Sequence, residues 1–209
     1  INTFILRLFL GAIALFMAAP LAVVAGVSFN ERKSLSFPPE GFSLDWYAQI
    51  FTEDSWRSAL FNSVGVAVGA SSLAVVVAFP LAWFLWRFHA PWARIVQVLG
   101  LAPFILPPVI TALGFLSFWT TAGAYGQAWT VVISHGIFFV TLPLVTLTLG
   151  FEAVDDSLVE AAATMGADDR TILRTIILPL ILPYIISGMA FAFVLSLNEY
   201  IVAYMAVGF

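Results

Sequence analysis

The sequence contains no cysteine, a single lysine and few charged residues of either sign. Without cysteine it has no disulfide framework and no thiolate metal site, and we predict no metal or cofactor of its own. Charged residues make up 10% of the 209 residues, against about 25% in a typical soluble domain. No basic run suggests nucleic-acid binding. This composition excludes an ordinary soluble domain.

Long apolar runs take the place of the missing charges, with 62% hydrophobic residues and a mean hydropathy of +1.03. A helix needs about 20 mainly apolar residues to cross the hydrocarbon core of a membrane. None of the runs shows the alternation of barrel strands. We therefore predict an all-α integral membrane protein forming one transmembrane domain over residues 1–209. Its five predicted spans are residues 5–27, 60–86, 95–119, 129–150 and 180–205.

The distribution of arginine predicts the orientation, because cytoplasmic loops carry an excess of Lys and Arg. Arg7 precedes the first span, Arg87 and Arg94 bracket the second loop, and Arg170 and Arg174 precede the last span. The N-terminus and the loop before the last span are therefore expected on the cytoplasmic side. Five spans would then end outside, so we expect a sixth span beyond the last residue.

The first loop, residues 28–58, is expected outside the membrane. Ser43 or Asp45 can cap a short helix that runs through Phe51. The helix is rich in aromatic residues, which favour the headgroup level, so it is expected to anchor the loop at the interface. Docking of an external receptor is the alternative. Its apolar residues are Phe42, Trp46, Tyr47, Ile50 and Phe51.

Three prolines interrupt the third span, at Pro103, Pro107 and Pro108. Each removes a backbone donor and clashes with the preceding turn, so the helix must kink or break there. A kink serving only helix packing and a kink forming a pathway wall are both compatible with the pattern.

The loop before the last span, residues 151–179, is a long polar stretch between two apolar runs, and we call it the coupling segment. Ser157 and Glu160 form a capping-box pattern at the start of a first helix. Gly166 is placed to end that helix. Asp168 or Asp169 can cap a second one, which Leu178-Pro179 is expected to end. A plain connection needs only a few residues, so this segment is expected to dock another protein.

The coupling segment carries Glu160-Ala161-Ala162, three residues, Gly166, nine residues, Ile176, one residue and Leu178-Pro179. This pattern resembles the EAA signature of the membrane subunits of ABC importers at every defined position. The resemblance implies a type I importer bundle whose short helix fits a cleft on a cytoplasmic ATPase subunit. The residues expected to contact that subunit are Glu160, Ala161, Ala162, Met165, Gly166 and Asp168.

Other segments resemble the spermidine/putrescine branch of the same family, namely residues 41–47, 62–63, 107–110 and 195–200. The resemblance implies a multi-pass protein of the bacterial inner membrane. Its implied partners are two copies of an ATP-binding subunit, a second permease subunit, an external solute-binding protein and membrane lipid.

The chain is not expected to hydrolyse ATP. A P-loop needs a lysine followed by Ser or Thr after a glycine-rich turn, and the single lysine, Lys33, follows Arg32 in the first loop. ATP is therefore expected to be bound by a partner, and this chain to be a non-catalytic subunit.

Glu199 is the one carboxylate well inside an apolar run, and Asn198 precedes it. Intramembrane carboxylates usually mark a pathway or a paired partner, so both residues are expected to line the substrate pathway. A carboxylate wetted at the outer interface is the alternative. Polyamine permeases of the resembled branch commonly carry two aspartates here, so a mono-amine or zwitterionic solute stays open beside a polyamine.

We predict the membrane subunit of an ATP-driven importer for a polyamine or a related cationic amine. One alternative is an ABC importer for another small solute. Another is a secondary transporter that uses His135 and Glu199 as a proton relay, although a lone buried histidine more often bonds to a neighbouring helix. An intramembrane enzyme lacks a nucleophile with a positioned base.

Overall fold

The computed structural model describes residues 3–88 and 93–208, which form helices joined by turns and one longer loop, residues 29–44, and contain no strand. The helices are α1 (Thr3–Ser28), α2 (Asp45–Thr52), α3 (Asp54–Phe88), α4 (Ala93–Ile105), α5 (Pro108–Thr121), α6 (Ala128–Phe138), α7 (Thr141–Glu152), α8 (Asp156–Thr164), α9 (Asp169–Ile172), α10 (Leu178–Asn198) and α11 (Ile201–Val207), with a π-helical segment at Leu173–Ile177 between α9 and α10.

Three helices of the described residues are long and apolar enough to cross a membrane: α1, α3 and the continuous helix Asp169–Asn198. Two bent pairs, α4 with α5 and α6 with α7, pass the same test when each pair is taken together. Counting each pair as one span gives five. The predicted all-α membrane architecture is therefore confirmed.

The third span bends by 103° between α4 and α5, as its prolines predict. Pro107 stands at the N-cap of α5 and Pro108 at its first position, where a missing N–H costs nothing. The Pro107 carbonyl accepts the N–H of Ile110 at 2.9 Å and starts the new helix. Pro103 lies inside α4.

The fourth span is not the continuous helix that was predicted over 129–150, because it bends by 43° between α6 and α7. Pro143 in the first turn of α7 has no N–H, and its ring excludes the carbonyl of Phe139 from the usual position. The chain crosses the bend in a tighter turn, in which the N–H of Leu142 donates to the carbonyl of Phe139, three residues earlier, at 3.2 Å.

The last span also differs from its prediction over 180–205, since α10 ends at Asn198 and α11 begins at Ile201. Glu199 takes an extended backbone conformation, with φ of −88° and ψ of 111°, and so interrupts the helix. The break lies at the intramembrane carboxylate itself.

The chain divides into two compact units, residues 1–61 and 62–209. In the first unit, α2 is held against the end of α1 and the loop after it by hydrogen bonds to Ser28 and Asn30. Leu44 stands at the N-cap of α2 without a side-chain bond. The hydroxyl of Ser43 accepts the N–H of Asp45 at 2.9 Å, so the predicted cap by Ser43 or Asp45 is wrong by one position.

The second unit is built around α7 and α10, which approach closely through small residues. A methyl group on Gly150 would lie 2.8 Å from the Tyr184 ring, and one on Gly188 would lie 2.7 Å from Cα of Pro143. Gly188 and Ala192, small residues one turn apart in α10, are both buried. The buried face of α3 consists of Ala67, Ala70, Ser71, Ala74, Ala78 and Ala82.

Candidate functional site

The coupling segment begins with a capped helix, but the cap is not the predicted one. Asp155, rather than Ser157, occupies the N-cap of α8, and its Oδ1 accepts the N–H of Ser157 at 2.9 Å. Ser157 therefore lies inside the helix, and the predicted capping box with Glu160 is not formed. Aspartate competes well for this position because its charge also suits the positive end of the helix dipole.

Gly166 ends α8 as predicted. Its φ of +86° is left-handed, a conformation that costs other residues steric strain. The Gly166 N–H donates to the carbonyl of Ala163 at 3.0 Å, and the Ala167 N–H to the carbonyl of Ala162 at 3.0 Å. This pair of bonds is a Schellman motif, which satisfies the last carbonyls of the helix and reverses the chain.

The second helix starts at the predicted cap, since Asp168 Oδ1 accepts the N–H of Thr171 at 3.0 Å. It does not end at Leu178-Pro179. The chain instead passes through the π-helical segment, whose last bond runs from the N–H of Leu178 back to the carbonyl of Leu173. The wider π turn shifts the register just before Pro179, whose missing donor would interrupt an α-helical ladder. The second helix of the coupling segment and α10 are thus one continuous helix, Asp169–Asn198.

Five of the six residues predicted to contact the ATPase subunit are exposed: Glu160, Ala161, Met165, Gly166 and Asp168. Met165 has 82% of its surface exposed, an unusual state for so apolar a side chain. These residues lie in the second half of α8, in the turn that ends it and at the N-cap of α9. A surface of small side chains with one protruding methionine suits insertion into a cleft.

Ala162 differs from the other five, because it is only 4% exposed and belongs to a buried cluster with Phe151, Val154 and Ile172. Its methyl group packs α8 onto the end of α7 and the start of the last helix. We therefore assign Ala162 to anchoring α8.

A second link fixes the coupling segment to the bundle. Nη2 of Arg87, in the last turn of α3, lies 3.4 Å from Oδ1 of Asp169 in α9. The contact places Arg87 at the same end of the bundle as Arg170 and Arg174, in line with the arginine distribution. Arg94 lies in a helix, but its side chain falls outside the described part of the structure.

The two caps are also electrostatic features. The Ser157 hydroxyl, and then its backbone N–H, lowers the pKa of the Asp155 carboxyl. The Thr171 hydroxyl and N–H lower the pKa of Asp168 in the same way. Hydrogen bonds to a carboxylate favour its charged form, so both caps are ionised at neutral pH.

A cavity of about 310 Å³ lies at the bend of the third span. Its polar lining comes from the two predicted pathway residues, Asn198 and Glu199, so the structure brings them together with the proline kink. The Asn198 side chain also donates to the carbonyl of Val194 at 2.8 Å. The apolar lining consists of Phe104, Leu106, Pro108, Phe138, Phe139 and Leu195.

The Glu199 carboxylate, whose side chain is 11% exposed, joins α10 to α11. Its Oε1 accepts the N–H of Ile201 at 3.2 Å, and its Oε2 accepts that of Val202 at 2.7 Å. It thus supplies acceptors to the first turn of α11, where no helical carbonyl is available. One carboxylate both borders the cavity and holds the next helix.

His135 lies behind this carboxylate and is 1% exposed. Its Nδ1 lies 2.8 Å from the hydroxyl of Ser196, so the predicted bond to a neighbouring helix is present. Its Nε2 lies 3.7 Å from Oε2 of Glu199, and among the described residues it has no hydrogen-bond partner. The two groups are adjacent without being hydrogen-bonded.

Sequence reasoning missed three of these features: the Arg87 contact, the identity of Ser196 as the partner of His135, and the π-helical segment. The first two join residues separated by 82 and 61 positions. The third had a local signal, since Pro179 follows a helical pattern that does not stop.

Known proteins support this architecture. The family model described as "Binding-protein-dependent transport system inner membrane component" matches residues 1–209. A spermidine/putrescine transport system permease protein, PotC of Haemophilus influenzae, is 31% identical over 203 residues, covering 96% of this chain and 77% of the relative. The putrescine permease protein PotI of Escherichia coli is 30% identical over 196 residues, covering 90% and 69%.

Among solved structures, a chain of a bacterial ABC transporter involved in the import of the acidic polysaccharide alginate has a TM-score of 0.69. It is 16% identical, and the match covers 95% of this chain and 71% of the other, which shows the fold alone.

These findings confirm the predicted ABC permease, its place in the inner membrane and its non-catalytic role beside an ATPase, another permease and a binding protein. The chain belongs to the family of inner-membrane components of binding-protein-dependent transport systems.

Proposed function

We propose that this permease imports a polyamine or a related cationic amine. Its relatives PotC and PotI are named for spermidine and putrescine transport. The observation that carries the proposal within this chain is the position of Glu199, a mostly buried carboxylate that borders a cavity at the proline bend. A buried negative charge in a membrane is costly, and a passing cation offsets that cost.

Glu199 and Asn198 would contact the cation on its way through the bundle. The cavity is otherwise lined by apolar and aromatic side chains, including Phe104, Phe138 and Phe139. Such walls raise the strength of the attraction between the carboxylate and an ammonium group, because they exclude water. Aromatic rings also attract cations when these approach the ring face.

The drive for transport would come from two ATPase subunits that bind ATP, one against each permease. The exposed surface of Glu160, Ala161, Met165, Gly166 and Asp168 would fit a cleft on one of them. Closure of the ATPase pair would then move the coupling segment. Because the second helix of this segment continues into α10 without a break, the movement would be passed to the helix that ends directly before Glu199.

The test is reconstitution of the complete importer in vesicles with its external binding protein. Spermidine, putrescine and a mono-amine of similar length are compared for uptake and for stimulation of ATP hydrolysis. Stimulation by the amines, with no response to a neutral diol of the same length, is the expected result. Uptake of amines by vesicles without the ATPase would contradict the proposal.

A further inference from the structure

The first unit of the chain contains a groove of about 680 Å³ between the end of α1, the loop after it and α2. One wall is apolar and comes from Val23, Val24 and Val27 of α1 together with Leu35 and Ile50. Val24 is 67% exposed and continues the exposed apolar surface of α1, a membrane-spanning helix. The groove thus adjoins the exposed apolar surface of α1.

The remaining rim of the groove is polar and positively charged. Arg32 and Lys33 line it, and none of the described lining residues is acidic. Arg32 is paired with Glu40 at 2.7 Å, at a mostly exposed position. Nζ of Lys33 lies 5.4 Å from the centre of the Trp46 ring, and no carboxylate of the described residues lies within salt-bridge distance of it. Lys33 therefore retains a free charge at the rim.

The groove is held open by a network within the unit. The buried side chain of Asn30 donates to the Ser34 carbonyl at 3.0 Å, and its Oδ1 accepts the N–H of Glu40 at 3.1 Å. The Asn30 carbonyl accepts the indole N–H of Trp46 at 2.7 Å. The hydroxyl of Tyr47 bonds to that of Ser28 at 2.7 Å. These bonds fix α2 against the end of α1, so the groove exists before any ligand enters.

We propose that this groove binds an anionic phospholipid, with an acyl chain along the valines of α1 and the phosphate at Lys33 and Arg32. Tryptophan and tyrosine prefer the level of the lipid headgroups, and Trp46 and Tyr47 also line the groove. Lys33, which has no carboxylate of the described residues within salt-bridge distance, favours a net negative headgroup over a zwitterionic one, whose amine it repels. The proposal rests on the proposed function, because it requires α1 to span the membrane as part of the importer.

The experiment uses the complete importer in nanodiscs that contain equal amounts of phosphatidylglycerol and phosphatidylcholine. After transfer to detergent, native mass spectrometry counts the lipids that stay bound. Phosphatidylglycerol is expected to exceed phosphatidylcholine at least about fivefold, the factor that one cation near an anionic surface supplies. Lys33→Gln should remove about fivefold of that retention. Equal retention of both lipids, or no effect of Lys33→Gln, overturns the proposal.

Two further variants separate charge from shape. Arg57→Gln is the matched control, because Arg57 is a cation at the start of α3 that does not line the groove; it should leave the lipid ratio unchanged. Val24→Trp fills the apolar part from an exposed position and should lower retention of both lipids. Displacement of the lipid by inorganic phosphate at millimolar concentration would show a phosphate site instead and would overturn the lipid assignment.

Two controls separate this proposal from the transport function. Because this chain has no cysteine, Lys33→Cys gives it a single thiol, which an impermeant reagent can label and a cross-linker can join to a neighbouring subunit. Cross-linking to the second permease, with no lipid retained, would assign the groove to that subunit and overturn the proposal. Gly166→Pro should stop uptake while leaving lipid retention unchanged, so a failure of coupling and a failure of the lipid site give different results.

Discussion

Nη2 of Arg87 and Oδ1 of Asp169 lie 3.4 Å apart and join the end of α3 to the helix that leads into the last span. Both side chains are largely exposed, so the pair contributes little to stability, on the order of 0.5 kcal/mol. Its effect is on position, because it limits how α9 can move relative to α3. The coupling segment is thus held by a buried alanine on one helix and a surface ion pair on the next.

Removal of this ion pair should affect coupling more than stability. Arg87→Gln is expected to leave the melting temperature within about 2 °C of the parent and to lower the amount of amine imported per ATP hydrolysed. Both quantities are measured on the reconstituted importer. Arg170→Gln is the control, because Arg170 is an exposed arginine of α9, the helix of Asp169, and has no described ion pair. An unchanged import ratio in Arg87→Gln would rule out a positioning role for the pair.

Gly166 should tolerate substitution only by residues that accept a left-handed backbone. Gly166→Pro loses both the φ of +86° and the hydrogen bond to the Ala163 carbonyl, so it should abolish uptake. Gly166→Asn should keep most of the uptake, because asparagine visits this conformation readily. Gly166→Val should destabilise the turn by about 1–2 kcal/mol, the cost of a left-handed backbone. Uptake and binding-protein-stimulated ATP hydrolysis are compared across the three. Normal uptake in Gly166→Pro would refute the coupling role.

Glu199 combines a charge with a helix cap, and two substitutions separate these. Glu199→Gln removes the charge and keeps an oxygen acceptor for α11, so the amine concentration for half-maximal uptake should rise about tenfold, or 1.4 kcal/mol. Glu199→Ala also leaves the N–H groups of Ile201 and Val202 without partners and should lower stability as well. Glu152→Gln, at the exposed end of α7, is the control. Unchanged affinity and rate in Glu199→Gln would remove Glu199 from the pathway.

The sequence predicted what depends on neighbouring residues and missed what depends on tertiary contact. Gly166 and Asp168 were assigned correctly because a glycine turn and an aspartate cap act within a few residues. The N-cap of α8 was predicted at Ser157 and lies at Asp155, because serine and aspartate both suit this position. Glu199 was recognised as an intramembrane carboxylate, but its bonds to α11 required a helix break that apolar composition does not reveal. The approach of His135 to Glu199 could not be predicted either, because the two residues lie far apart in the sequence.

Neighbouring alanines of the EAA pattern should respond in opposite ways. Ala162→Leu forces a larger side chain into the cluster around Phe151 and Ile172 and should destabilise the protein by about 1–3 kcal/mol. Ala161→Leu lies on the exposed surface, so it should leave stability unchanged and weaken retention of the ATPase subunit. Thermal unfolding and co-purification of the ATPase measure the two effects. Equal destabilisation by both variants would contradict the assignment of separate roles.

The caps of the coupling segment should give it a specific sensitivity to acid. The pKa of Asp155 and that of Asp168 are lowered in the folded protein from an ordinary value of 3.8. A lowered pKa means that the cap's contribution is complete above the unfolded value and is lost as the pH falls through the folded value. Amide hydrogen exchange in α8 and α9 should therefore accelerate below about pH 4, beyond the intrinsic change in rate, while α10 stays protected.

Asparagine variants isolate the cause, because asparagine caps a helix without a titrating proton. In Asp155→Asn combined with Asp168→Asn, the acid-dependent loss of protection in α8 and α9 should disappear, while protection at neutral pH stays similar. Asp156→Asn is the control, since Asp156 lies in the first turn of α8 and is not its cap. If the double variant kept the acid response of the parent, groups other than these two caps would have to cause it.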